Sequence, residues 1–177
     1  MCALCDGKSI EQLWEAFHGF IRRGGWALQA VEASRQGRPW VYSIGLIENY
    51  RHPELVAVDD DVRDQGSLLN AIGDHGKRGA RFAVGDRLDL GGYEVEFGAV
   101  DPSYVKQRLC GSWDAYYHWL GTRPEKEFEV LSVLRPLSEW CEHCDEARRV
   151  LATPGALGFG EILNRAQRRV RRRHAHR

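Results

Sequence analysis

The sequence predicts an α+β fold: one layer-type domain with a mixed, largely antiparallel sheet packed by helices, followed by a basic C-terminal helix or tail. Three observations predict it. Apolar residues recur at helical spacing in some segments and alternate in others. Strand-like segments cluster instead of alternating strictly with helices, which disfavours a parallel, doubly wound sheet. Charge is split along the 177 residues, with seven arginines and one glutamate in 161–177 (+6) and a net −6 over residues 1–160.

The elements follow in order. "SIEQLWEAFHGFIRRGG" predicts a helix with Ser9 as N-cap and Gln12 as its reciprocal partner. Ile10, Leu13, Trp14, Phe17 and Ile21 share one face, and Gly24 and Gly25 end the helix. "WALQAVEA" and "RPWVYSIGL" read as strands around the turn "SRQGR". "HPELVAV" is a third strand with Pro53 near its start. "DDDVRDQGSLLNAIGDHGKRG" predicts a second helix with aspartates at the positive end of its dipole and Leu68, Leu69 and Ile72 facing inward. "RFAVGDRLDLGGYEVEFGAV" reads as a hairpin turning at Gly91 and Gly92, with Val95 and Phe97 alternating inward. "DPSYVKQRLCGSWDAYYHWLG" predicts helix with a break at Gly111, and "EFEVLSVLRP" a last strand. "LSEWCEHCDEARRVL" predicts a helix or turn-helix. Residues 1–153 are expected to form the domain, and 154–177 a Gly/Pro link and Arg-rich tail.

Cys2 and Cys5, and Cys141 and Cys144, form two Cys-x-x-Cys pairs. In a turn of this spacing both sulfurs can face one point, and two such turns supply the four thiolates of a tetrahedral zinc site. Such a site is closed, so the zinc is expected to be structural. The competing reading is a dithiol redox role. His143 lies between the second pair, and Cys110 stands alone and reads as a buried thiol. No stretch approaches the roughly 20 apolar residues of a membrane helix, and the N-terminus has no secretory pattern. The expectation is a cytoplasmic protein, where paired cysteines more often bind metal or do redox work than form disulfides.

"MCALCDG", "GWALQAV", "PWVYSIGL", "HPELVAV", "LLNAIG" and "FGAVDPSYV" occur in this order. Over roughly residues 1–135 the chain resembles the bacterial family called domain of unknown function 4262. The family typically has Tyr-Thr-Ile-Gly-Leu where this chain has Tyr42-Ser43-Ile44-Gly45-Leu46. It commonly has a Trp-Pro-Asp type segment after the last strand, where this chain has "LRPLSEWCEHC". The resemblance implies a fold and a bacterial cytoplasmic setting, and no reaction.

Outside the cysteines, Tyr42, Ser43, His52 and Glu54 are the candidate acid, base and orienting groups of a small-molecule or accessory-enzyme cleft. The bland alternative makes Tyr42 core, Ser43 a backbone partner and His52 a loop cap. Trp113, Tyr116 and Tyr117 share one side of a helix, with His118 and Trp119 beside them, as a pocket wall or a core edge. Asp59, Asp60 and Asp61 suit a helix start better than a cation site. There is no dinucleotide fingerprint, phosphate loop, Gly-x-Ser-x-Gly elbow or His-Glu-x-x-His motif. Arg168, Arg169, Arg171, Arg172 and Arg173 form a basic surface for nucleic acid or an acidic partner, the basis of an alternative role as an interaction or regulatory module.

Overall fold

A computed structural model describes residues 9–31, 39–58, 61–100, 110–124 and 127–134. Among them are four helices and six strands. The helices are α1 (Ile10–Gly24), α2 (Leu46–Tyr50), α3 (Val62–Lys77) and α4 (Gly111–Leu120). The strands are β1 (Ala27–Val31), β2 (Trp40–Ile44), β3 (Glu54–Val58), β4 (Arg87–Asp89), β5 (Glu94–Ala99) and β6 (Val130–Leu134). They form one open sheet in the order β1-β2-β3-β6-β5-β4. Every neighbouring pair is antiparallel except β3 and β6, so the sheet is mixed and the fold α+β. No helix among the described residues is long and apolar enough to cross a membrane.

Helix α1 starts as its sequence dictates. Ser9 Oγ accepts from Gln12 N at 3.2 Å, and Gln12 Oε1 accepts from Ser9 N at 3.0 Å. Gly25, at φ 97°, closes it in the left-handed region. Trp14, Phe17 and Ile21 are buried, whereas Ile10 at the first turn is exposed. Asp61 caps α3 by accepting from Arg63 N and Asp64 N. Leu69 and Ile72 of α3 are buried as the spacing predicts, and Leu68 is half-buried. The β4–β5 hairpin turns at Gly91 and Gly92, and Val95 and Phe97 alternate into the core.

Helices cover both faces of the sheet. On one face α1 and α4 bury Trp14, Phe17, Trp113, Tyr116 and Tyr117 against Tyr42 and Val56. On the other, α3 buries Leu69 and Ile72 against Val41, Leu55 and Phe97. This explains β6, whose first four residues are all buried: a central strand covered on both sides has no solvent face, so polar alternation disappears. Strands β1, β3 and β6 run in one direction. Helix α1 folds back along the sheet from Gly25, with Ile21 against Gly45 at that end. The twelve residues from Ile21 back to Ser9 span about 18 Å at 1.5 Å each, close to the length of a five-residue strand. Ser9 and Leu134 therefore lie toward the same end of the sheet.

The second strand differs from expectation. It stops at Ile44, and "LIENY" forms the short helix α2. Gly45, at φ 112°, makes the turn, and the side chain at its position has no room: a Cβ there would lie 3.0 Å from Gly25 O.

Two glycines of α3 separate propensity from packing. A Cβ on Gly66 would meet only Leu28 at 3.8 Å, whereas one on Gly73 would sit 2.8 Å from the Trp26 indole. Gly66→Ala is expected to stabilise the fold by up to about 1 kcal/mol. Gly73→Ala is expected to destabilise it by roughly 1–3 kcal/mol, because the overpacked indole must move. Urea unfolding of the two variants checks both signs.

Candidate functional site

The site is built from the buried end of β3 outward. Between β2 and β3 the ladder runs from Trp40↔Val58 to Tyr42↔Val56 and ends there. Beyond it, Ser43 Oγ replaces a backbone acceptor and takes the Leu55 N–H at 2.8 Å. The same hydroxyl donates to Glu54 Oε2 at 2.5 Å. Glu54 has no exposed surface. Its carboxylate also accepts from Gly45 N at 2.8 Å, and from Leu46 N and Ile47 N at 3.4 Å each. Those three N–H groups are the open donors at the start of α2. A buried carboxylate thus caps a helix that has no side-chain cap of its own at Gly45.

Burial pushes the Glu54 carboxyl above its ordinary range, and the Ser43 and backbone hydrogen bonds pull back against it. The Cys110 thiol is buried on the α4 side and pushed well up, first by desolvation and then by the negative charges of Glu54 and Asp114. It is held as an inert thiol. Tyr42 is buried, and its Oη accepts from Ser112 N at 3.1 Å in the first turn of α4. Its phenol is pushed upward, mainly by desolvation.

The four candidate residues divide between places. Ser43 and Glu54 touch. Tyr42 braces α4. His52 lies on the other face: its Nδ1 is 2.6 Å from Pro53 O, its ring packs edge-on against Phe82, and it lies against Gly76 of α3. Cys2, Cys5, Cys141, Cys144, Asp59, Asp60 and Arg168, Arg169, Arg171, Arg172 and Arg173 lie outside the described residues, as does the expected boundary at 153/154. Among the described residues no group of three or more His, Cys, Asp and Glu side chains is placed to hold a metal ion.

Helix α2 carries Glu48 to the surface. Tyr117 Oη donates to Glu48 Oε2 at 3.1 Å. Its neighbour Tyr116 shares a hydrogen bond of 2.9 Å with Nδ1 of His18 on α1. The Tyr116 and Tyr117 rings pack edge to face at 5.0 Å. Trp119, 37% exposed, lies 6.1 Å from the His18 ring and 6.2 Å from Tyr116 between ring centroids. Three helices thus meet around two fully buried phenols: Tyr116 contacts His18 and Trp119, and Tyr117 holds Glu48. Burial and then the charge of Glu48 push Tyr116 up to about 12. Tyr117 is pushed upward too, by desolvation and then by the Glu54 and Glu48 charges. Both phenols stay protonated at neutral pH, and Tyr117 donates to Glu48. The sequence signals the α4 half of this cluster through its aromatic crowding. His18 and Glu48 carry no local signal, since their partners are 98 and 69 residues away.

Two variants test the buried carboxylate. Glu54→Ala leaves four donors without an acceptor and is expected to cost roughly 3 kcal/mol or more. Glu54→Gln reads the charge. The folded chain holds the Glu54 proton more tightly than the unfolded chain, so this contribution to stability is fully present below the ordinary glutamate pKa of about 4.3. It is lost as pH rises through the higher folded-state value. Urea unfolding across that window is expected to show a falling contribution in the wild-type chain that Glu54→Gln lacks. Identical pH profiles would contradict this.

No curated protein and no solved structure matches the chain. A family model matches residues 20–136, a span that contains Tyr42, Ser43, Glu48, His52, Glu54, Tyr116, Tyr117 and Trp119 and excludes His18, the four paired cysteines and the C-terminal arginines. That match covers about two thirds of the chain, which belongs to the family described as Domain of unknown function (DUF4262).

Proposed function

We propose that this is a small-molecule-binding domain, acting as a binding protein or an accessory enzyme, and that its ligand docks where α1, α2 and α4 meet. The observation that carries this reading is the pair of hydrogen bonds His18–Tyr116 and Tyr117–Glu48, which join polar groups of three helices around two buried phenols, with Glu48 and part of Trp119 left at the surface. Binding sites combine aromatic walls with a few fixed polar groups in this way. Ser43 and Glu54 enter the reading as the buried pair that sets α2, and therefore Glu48, in place. An NMR screen of the full chain against a fragment library of mixed charge is expected to give saturable shifts centred on His18, Glu48, Tyr116 and Trp119. Shifts confined to other surfaces, or none at all, would contradict the reading.

A structural zinc held by Cys2, Cys5, Cys141 and Cys144 completes the proposal. It is supported by the spacing within each pair. It is supported also by the fold, since Ser9 and Leu134, from which the two pairs are four and seven residues distant, lie toward one end of the sheet. Metal analysis of untagged protein is expected to return about one zinc per chain, lost in the Cys2→Ser/Cys5→Ser variant together with thermal stability. A metal-free preparation of equal stability would contradict it.

A further inference from the structure

We infer that the outer edge of β1 is an interface between two copies of this chain, paired antiparallel so that their sheets join into one. The described sheet ends in β1 on one side and β4 on the other. An outer strand carries a row of N–H and C=O groups that its own sheet does not pair. Such an edge attracts another strand unless it is short, charged or interrupted. The two edges of this sheet differ in that respect. Strand β4 has three residues, Arg87, Leu88 and Asp89, two of them charged, so its length and charge guard it. Strand β1 has five, Ala27, Leu28, Gln29, Ala30 and Val31, with no charge, no proline and no glycine. It pairs with β2 one for one from Ala27↔Ile44 to Val31↔Trp40, so no bulge turns the edge away. Among the described residues, the one hydrogen bond of β1 outside that ladder is its own, from Gln29 Nε2 to Ala30 O at 2.6 Å.

A second copy suits this edge. Val31 is half-buried toward α1, Leu28 is half-buried toward α3, and Ala30 is exposed, so apolar surface reaches the edge on both faces of the sheet. Pairing about a two-fold axis at Gln29 sets Leu28 opposite the partner's Ala30 and Ala27 opposite the partner's Val31. Gln29 then meets its own copy, and a primary amide both donates and accepts, so the two are complementary. No like charges face each other across the axis, because β1 has none. The arrangement also closes at two: it uses the unguarded edge of each copy and leaves the guarded β4 at both ends of the joined sheet. A stable interface buries roughly 800 Å² on each partner, more than a five-residue strand supplies alone. Helices α1 and α3 lie against β1 on its two faces, so each comes alongside its own copy and widens the contact.

Sedimentation velocity and amide hydrogen exchange of the full chain over a dilution series test this. The concentrated chain is expected to sediment at twice the chain mass, with all five β1 amides exchanging slowly. Dilution to the monomer is expected to release alternate β1 amides, since alternate N–H groups of an outer strand point away from its sheet. Ala30→Lys puts a charge at an exposed position of the edge and is expected to raise the dissociation constant of the dimer tenfold or more. Arg87→Ala, at the other edge, is expected to leave it unchanged. The dilution series uses the wild-type chain, so it decides the matter even where Ala30→Lys fails to fold. A chain that stays monomeric throughout, an assembly that grows beyond two copies, β1 amides equally protected in monomer and dimer, or a dimer untouched by Ala30→Lys would each overturn the inference.

Discussion

The constraint on which this fold turns is the burial of one carboxylate. Glu54 begins β3 at a position with no solvent, and its charge is tolerable there only because four donors converge on it. Meeting that requirement shapes everything nearby. The β2–β3 ladder ends early to admit the side chain. Ser43 turns its hydroxyl both ways, to Glu54 and to Leu55 N. Gly45 takes a left-handed turn so that consecutive N–H groups point at one carboxylate. The five residues of α2 are too few for an independent helix, so this contact and the packing of Leu46 and Ile47 are what hold them. Asn49 then ties the turn to α1 by donating to Gly25 O and Gly45 O, and Tyr50 reaches Gly24 O.

The sheet separates two kinds of work. On the α3 face the contacts are apolar and close: Phe82 stacks on Phe97 at 4.5 Å, His52 fills the space beside Gly76, and Trp26 lies where Gly73 leaves room for it. This is scaffold. On the α1–α4 face the aromatic residues carry polar tips, and the tips are joined in pairs that reach the surface. On the binding reading proposed above, a ligand arriving there would meet groups whose positions are already fixed, which lowers the ordering cost of binding.

The local chemistry of the sequence was legible, and the long-range chemistry was not. The capping box of α1, the Gly25 stop, the Asp61 cap and the Gly91–Gly92 turn are all settled within a few residues, and each is found in the structure. The α+β class followed from the clustering of strands. Helix α2 is hidden because its cap comes from Glu54, seven to nine residues downstream, so "RPWVYSIGL" reads as a strand through Leu46 and the residues after it as a loop. The parallel pairing of β3 with β6 joins segments more than seventy residues apart, and no local pattern encodes it. The candidates Tyr42, Ser43, His52 and Glu54 lie in one stretch of chain, yet the sheet sends His52 to the α3 side and Tyr42 to α4, and only Ser43 and Glu54 touch. Strand alternation and a single intervening turn are enough to part neighbours in sequence.

Amide hydrogen exchange at Gly45, Leu46 and Ile47 tests this account most directly. Backbone N–H groups at the start of a five-residue helix exchange freely when water is their acceptor. If the Glu54 carboxylate holds them, all three exchange as slowly as the Leu55 and Val56 amides of the core strand beside them. Exchange at the rate of an open loop would contradict it, and with it the claim that one buried side chain positions α2 and the surface it carries.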